Sequence, residues 1–272
     1  MPEGDTIYRA ARTLHRALAG DTVTRFASVY PALARVDADH PLVGRAIESV
    51  AALGKHLLMT FSGGLTLHTH MRMHGSWHIY RPGERWQRPP RDMRIVVETE
   101  RAVAVAFNVP VAALLSAREL ATHPVLAHLG PDLLDPAFDP AAARARVRAS
   151  TGSLEETLLD QRTIAGIGNV LKSEILFAAG LNPFVPTVSV DDQRLDRLVS
   201  TALTLLRVNV LEQGDRISIG VGRCTTGRMN PDEKLWVYGR GGKPCRKCGN
   251  PISVAKTGAD ARLTYWCPTC QP

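Results

Sequence analysis

An initiator methionine that precedes proline is expected to be removed, which would leave Pro2 with a free secondary amine. An α-amino group titrates at about 8, so a useful fraction is neutral and nucleophilic at pH 7. A helix beginning just beyond it would favour the neutral amine through its positive dipole end. Such an amine can attack an aldehyde or a sugar C1′ and form an iminium, and Glu3 beside it could shuttle protons. The plainer alternative is an ordinary exposed terminus. Lys55, in Leu53-Gly54-Lys55-His56, falls in a turn between two strands. There it is either a solvated charge or a cation aimed at a phosphate or a leaving oxygen.

Four of the five cysteines form Cys245-x-x-Cys248 and, eighteen residues on, Cys267-x-x-Cys270. Each pair can place two thiolates on one turn, and the intervening length suits a β-hairpin that completes a tetrahedron of soft ligands. Four thiolates fill the shell, so the expected zinc is structural. Cys224 is the odd one out and reads as a buried thiol without a role.

Ala165-Gly166-Ile167-Gly168-Asn169 links two helical runs, and the second helix would present its free N–H groups at that loop. Asn169 suits either a phosphate contact or a plain N-cap. The stretch His68 to His78 is rich in histidine, and a metal site is conceivable. However, His68 and His70 alternate along a strand, while Arg72, Met73 and His74 fall at its turn. An apolar side chain with basic neighbours on a loop suits insertion into a base stack.

The elements that must position these residues follow from periodicity. Asp5 or Thr6 can cap a helix with apolar positions Ile7, Ala10, Ala11, Leu14 and Leu18, ended by Gly20. From 21 to 115 the pattern changes to short β-rich runs: Thr22–Val29, Ala46–Val50, His56–Phe61, Leu65–His70, Ser76–Tyr80, Arg94–Glu100 and Ala102–Asn108. Strands at this spacing suggest an antiparallel sandwich. Thr122–Pro140 carries four prolines and reads as a linker. Asp139-Pro140 then starts a helix, and further helical runs are expected at Ser153–Asp160, Gly168–Ala179 and Val190–Glu212. The expected fold is α+β: an N-terminal helix with a β-sandwich domain (1–121), a linker (122–138), a helical domain (139–240) and a zinc-binding hairpin (241–272).

The 272 residues suit two domains and carry 33 Lys and Arg against 26 Asp and Glu. From Arg216 onward ten basic residues face three acidic ones, and the first 215 residues balance to zero. A basic segment beside a neutral bulk is the footprint of a polyanion-binding surface, or else a solvated face. The longest nearly apolar stretch, Ala102 to Leu115, is broken by Asn108 and Pro110, so no membrane span is expected. The N-terminus lacks an apolar signal segment, so a cytoplasmic protein is expected.

Together these residues resemble the Fpg/Nei family of DNA glycosylases, formamidopyrimidine-DNA glycosylase and endonuclease VIII. The resemblance rests on Pro2-Glu3-Gly4, Leu159-Asp160-Gln161, Gly166-Ile167-Gly168-Asn169, Glu174, Ala179-Gly180-Leu181-Asn182-Pro183, and the four-cysteine finger with Tyr265-Trp266 before Cys267. It runs over essentially the whole chain.

The resemblance implies a two-domain glycosylase and AP lyase with a helix–two-turns–helix module, one structural zinc and no organic cofactor. It implies Pro2 as Schiff-base nucleophile, Glu3 as proton donor to the departing base, and Lys55 as an assisting lysine. It places Asn169 and Arg262 on phosphates near the lesion, and Arg72, Met73 and His74 in the gap left by the extruded base. His128 stands where an arginine of endonuclease VIII contacts DNA, which would make that contact pH-dependent. Phe107-Asn108-Val109-Pro110-Val111 lacks the Arg-x-Phe pair usual in the purine-specific branch, and Ser76-Trp77 looks like endonuclease VIII. The expectation is therefore a monomeric enzyme that removes oxidised pyrimidines from damaged DNA and cleaves by β- or β,δ-elimination. The alternatives are an oxidised-purine glycosylase and a non-catalytic damage-binding protein. Thr6 departs from the glutamate frequent at its position, and the wedge triplet differs from the Gln-Leu-Tyr type.

Overall fold

Strands β3 (His56–Phe61), β4 (Leu65–His70) and β5 (Ser76–Tyr80) begin and end where the β-rich runs of the sequence place them. The computed structural model describes residues 2–210, 223–228, 230–258 and 260–272. It divides into two units, one of residues 1–2 and 6–128, the other of residues 3–5 and 129–272.

The first unit holds most of helix α1 (Gly4–Leu18), β1 (Arg25–Ser28), α2 (Pro31–Asp39), β2 (Ile47–Leu53), β3 to β5, β6 (Met93–Glu98), β7 (Val103–Phe107), β8 (Val111–Ser116) and α3 (Ala117–Ala121). Two antiparallel four-stranded sheets, ordered β1-β6-β7-β5 and β2-β3-β4-β8, form the sandwich. Leu57, Met59, Phe61 and Leu67 from one sheet share a core with Ile95, Val97, Ala104 and Ala106 from the other and with Ile7, Ala11, Leu14 and Leu18 of α1. Burying these side chains is the main stabilising term.

Some expectations need correcting. α1 starts at Gly4, so neither Asp5 nor Thr6 is its cap; the Gly4 N–H is held by the Gly166 carbonyl at 2.8 Å, which fixes the start earlier. β8 and α2 fall in stretches that carried no strand or helix expectation. The first five residues of β8 are apolar without alternation, whereas Pro31 at the first turn of α2 was a readable start signal.

The second unit contains α4 (Pro140–Arg148), α5 (Leu154–Leu159), α6 (Asn169–Ala179), α7 (Asp192–Val210), and the hairpin of β9 (Ser253–Thr257) and β10 (Arg262–Trp266). Asp139 caps α4 as expected, and Ser153 with Glu156 forms a capping box on α5. α7 is described to Val210; positions 211 and 212 of the expected helix lie outside the described residues. Leu158, Ile167, Leu171, Ile175, Leu198 and Leu206 pack the helices together, and Phe177 with Val237 and Ile252 begins a separate core under the cysteines. Among the described residues, no helix is long and apolar enough to cross a membrane.

Candidate active site

The Gly166-Ile167-Gly168 loop wraps around Glu3. A Cβ on Gly168 would overlap the Glu3 Cγ, Cδ and Oε1, and one on Gly4 would lie 2.9 Å from the Gly166 Cα. Gly166 adopts φ of +96°, which favours glycine. Gln161 staples the loop: its Nε2 donates to the Leu159 and Ile167 carbonyls, and its Oε1 accepts from the Gly166 N–H. The Leu159-Asp160-Gln161 and Gly-x-Gly motifs are therefore one device.

What the loop delivers is an internal anion. Glu3 is fully buried; its Oε1 accepts from the Val170 N–H at 2.8 Å and its Oε2 from the Leu171 N–H at 3.1 Å. These are first-turn N–H groups of α6, so the carboxylate occupies the dipole end that the sequence left open to an outside phosphate. Arg223 lies 3.5 Å from Glu3 Oε2 and pairs with Asp5 at 2.5 Å.

Asn169 is the first residue of α6, not its cap; Gly168 caps the helix without a side-chain bond. Asn169 is buried, its Nδ2 donates to the Leu263 carbonyl at 2.9 Å, and its Oδ1 has no partner. That bond ties α6 to β10, the strand that begins with Arg262. The Arg262 guanidinium is half-exposed and pairs with Asp260 at 3.0 Å. Beneath it, the fully buried Lys172 donates to Thr264 Oγ1 at 2.6 Å and reaches Glu155 at 3.3 Å, and burial lowers its pKa. Glu174, also fully buried, accepts from the N–H groups of Trp236, Val237 and Tyr238 and from the Thr225 hydroxyl. Lys172 and Arg223 carried no signal in the sequence.

Cys245, Cys248, Cys267 and Cys270 bring their Sγ atoms within 4.8 Å of one another, with pairs at 3.5 and 3.9 Å. A tetrahedral ion bonded to four sulfurs at about 2.3 Å separates them by about 3.8 Å, so the four residues fit zinc. The Asn250 N–H lowers the Cys248 thiol to about 7, whereas burial raises Cys267 and pushes Cys270 up to about 12. A divalent cation supplies what the buried thiolates lack. Cys224 is half-buried rather than buried; its N–H donates to Asn209 Oδ1 and its Sγ to the Arg228 carbonyl.

In the first unit, Pro2 is half-buried, and Lys55 sits in the β2–β3 turn after Gly54, whose φ is +57°. Arg72, Met73 and His74 form an exposed turn after β4, with Met73 57% exposed and Arg72 at φ of +49°. They line one hollow with Asn108 and Pro110 of the loop that lacks the Arg-x-Phe pair. The His70 Nδ1 accepts the Arg72 N–H at 3.0 Å and so fixes the turn. His128 is exposed at the end of a short 3-10 turn.

The histidines do not make a metal site; among the described residues the only group suited to an ion is the four cysteines. Instead His56, His68, His70 and His123 form a contiguous set, with a 2.8 Å bond between His56 Nδ1 and His68 Nε2. Burial lowers His56 to about 3 and His68 and His70 to about 4; the Arg72 and Lys55 charges further lower His70.

Comparison with known proteins gives three domain matches: the formamidopyrimidine-DNA glycosylase N-terminal domain over residues 1–110, the formamidopyrimidine-DNA glycosylase H2TH domain over 129–220, and the zinc finger found in FPG and IleRS over 242–272. A probable endonuclease 8 2 of Streptomyces coelicolor is 44% identical over 100% of this chain and 94% of its own. A DNA-(apurinic or apyrimidinic site) lyase Nei2 of Mycolicibacterium smegmatis is 37% identical over 100% of this chain and 99% of its own. Among solved structures, the Lactococcus lactis Fpg in complex with DNA containing an abasic site has a TM-score of 0.82 at 23% identity, covering 99% of each chain. That last likeness is one of fold.

Proposed function

The chain belongs to the Fpg/Nei family of DNA glycosylases, and from that membership we propose that it is a bifunctional DNA glycosylase and AP lyase that removes oxidised pyrimidines from damaged DNA. The observation that carries the reading is Glu3: next in the chain to Pro2 lies an acid held fully buried by two helix N–H groups.

In this reading Met1 is removed, and the Pro2 nitrogen attacks C1′ of an extruded nucleotide. The N–C1′ bond forms as the C1′–base bond breaks, and Glu3 delivers a proton to the departing base. The proline N–H proton is then lost and the C1′–O4′ bond breaks, its oxygen taking up a proton, so that the ring-opened iminium carries its charge on nitrogen and acidifies the C2′ proton. Loss of that proton breaks the C3′–O bond; a second elimination releases the 5′ phosphate. Lys55 assists from its turn. Arg262 reaches a phosphate by leaving Asp260, an exposed pair that contributes little. Asn169 offers its amide to a phosphate at the cost of its bond to Leu263. Met73, with Arg72 and His74, fills the emptied stack, and His128 touches the DNA backbone. The four cysteines hold a structural zinc that stabilises the hairpin carrying Arg262. The protein acts as a monomer in the cytoplasm.

The test is single-turnover excision from duplexes bearing an oxidised pyrimidine, an oxidised purine or an abasic site. Excision of the pyrimidine with strand cleavage is expected. Preference for the purine would correct the substrate class, and binding without cleavage of any duplex would make the protein a damage reader.

A further inference from the structure

Arg223 belongs to none of the motifs that carry the family resemblance, yet it is the one guanidinium placed on the Glu3 carboxylate among the described residues. Its side chain is 9% exposed, while those of Glu3 and Asp5 are 1% and 0% exposed. It grips Asp5 through two parallel bonds, Nε to Oδ2 at 2.8 Å and Nη2 to Oδ1 at 2.5 Å, and the same Nη2 lies 3.5 Å from Glu3 Oε2. A planar fork of this kind has little rotational freedom once docked. It is held from behind as well. The next residue, Cys224, exchanges two backbone bonds with the Asn209 amide, at 2.8 and 2.9 Å, and Thr225 donates to Glu174.

Without Arg223, the buried Glu3 and Asp5 carboxylates would lie near one another with no cation of the Arg223 kind between them. With it, the cluster is a cation between two anions, and the first-turn N–H groups of α6 complete the coordination of Glu3. Among the described residues, Lys172 on α6 has a field that reaches Glu3, and Glu174 has one that reaches Arg223. Position 6 is a threonine, and the second buried carboxylate is Asp5, two residues after Glu3.

We infer that Arg223 is a positioning residue for base excision: together with the α6 N–H groups it holds the Glu3 carboxylate aimed, so that Glu3 first accepts the Pro2 ammonium proton and then passes it to the departing base. The proton leaves the Pro2 nitrogen, bonds to a Glu3 oxygen, and moves to the base as the C1′–N bond breaks; Glu3 ends as it began. Asp5 orients Arg223 and tempers its charge. The inference rests on the roles proposed above for Pro2 and Glu3.

The experiment is the pH profile of single-turnover base excision, from pH 5 to 9, with full-length zinc-loaded protein and an oxidised-pyrimidine duplex. Arg223→Gln leaves the two buried carboxylates without the cation between them, so the acid limb of the excision profile should move to higher pH and excision should slow about tenfold to a hundredfold at pH 7. Asp5→Asn keeps the cation and removes the neighbouring anion, so it should move the limb the other way. Arg223→Lys, which keeps the charge, should restore most of the limb position. Opposite displacements are a signature that a merely structural role does not produce. An unmoved limb in Arg223→Gln and Asp5→Asn, with Glu3→Gln inactive, overturns the inference. Full excision by Glu3→Gln would instead overturn the underlying role of Glu3. If Arg223→Gln fails to fold, judged by zinc content and circular dichroism, Asp5→Asn and Arg223→Lys decide alone: an unmoved limb in Asp5→Asn overturns the inference, and a downward one supports it.

Discussion

Gly168 has no room for a methyl group, because the space a Cβ would take is filled by Glu3. Gly168→Ala should therefore displace the carboxylate and lower the base-excision rate by about a hundredfold, the usual effect of misplacing a catalytic group by about 1 Å. Thermal stability should change less than activity; a variant that excises at the wild-type rate would show that the Glu3 position is unimportant. Much at this scale was legible in the sequence. Pro2, Glu3 and the four cysteines announce themselves by type and spacing, and the two glycines mark a tight loop. What the loop encloses was not legible, since the Glu3 partners are main-chain N–H groups 167 and 168 positions away. Arg223 was invisible for the same reason: its partner Asp5 is 218 residues distant and no motif contains it.

Among the elements, the β3–β4 pair carries a pH-dependent contribution to stability. His56, His68 and His70 are held neutral at values of about 3 to 4, against about 6.5 for an unfolded histidine. The unfolded chain binds more protons between those limits, so folding free energy should be intact above pH 6.5 and fall progressively towards pH 4. Urea midpoints measured across that window should show the slope, and replacing His56 and His68 by leucine should flatten it. An equal slope in the variant would place the acid sensitivity elsewhere.

The finger hairpin makes a second prediction. Chelating the zinc should lower the unfolding temperature and depress strand cleavage together, because β10 carries Arg262 and is tied to α6 by Asn169 and Lys172. Retained cleavage after verified zinc loss would contradict this. The short β-rich runs of β3 to β5, set off by turn residues, were fully readable, whereas β8 was not, its first five residues being apolar without alternation.

Across the whole molecule, the excess positive charge of the last 57 residues is partly used internally. Arg223 faces Glu3 and Asp5, Arg246 donates to the Leu235 and Asp232 carbonyls, and Lys247 lies over Phe177 and Trp236. Net charge alone therefore overstates the DNA-facing cations. Arg262→Ala should reduce the slope of log affinity against log salt by about 1, whereas Arg246→Ala should leave the slope unchanged and lower stability. Equal effects on the slope would mean that only overall charge matters. The most direct measurement of the central claim is borohydride trapping on an oxidised-pyrimidine duplex, followed by mapping of the attached peptide, with Pro2→Gly beside the wild type. The account predicts a covalent adduct at Pro2 that is reduced or lost in the variant. An adduct on another residue, or none despite intact binding, would contradict it.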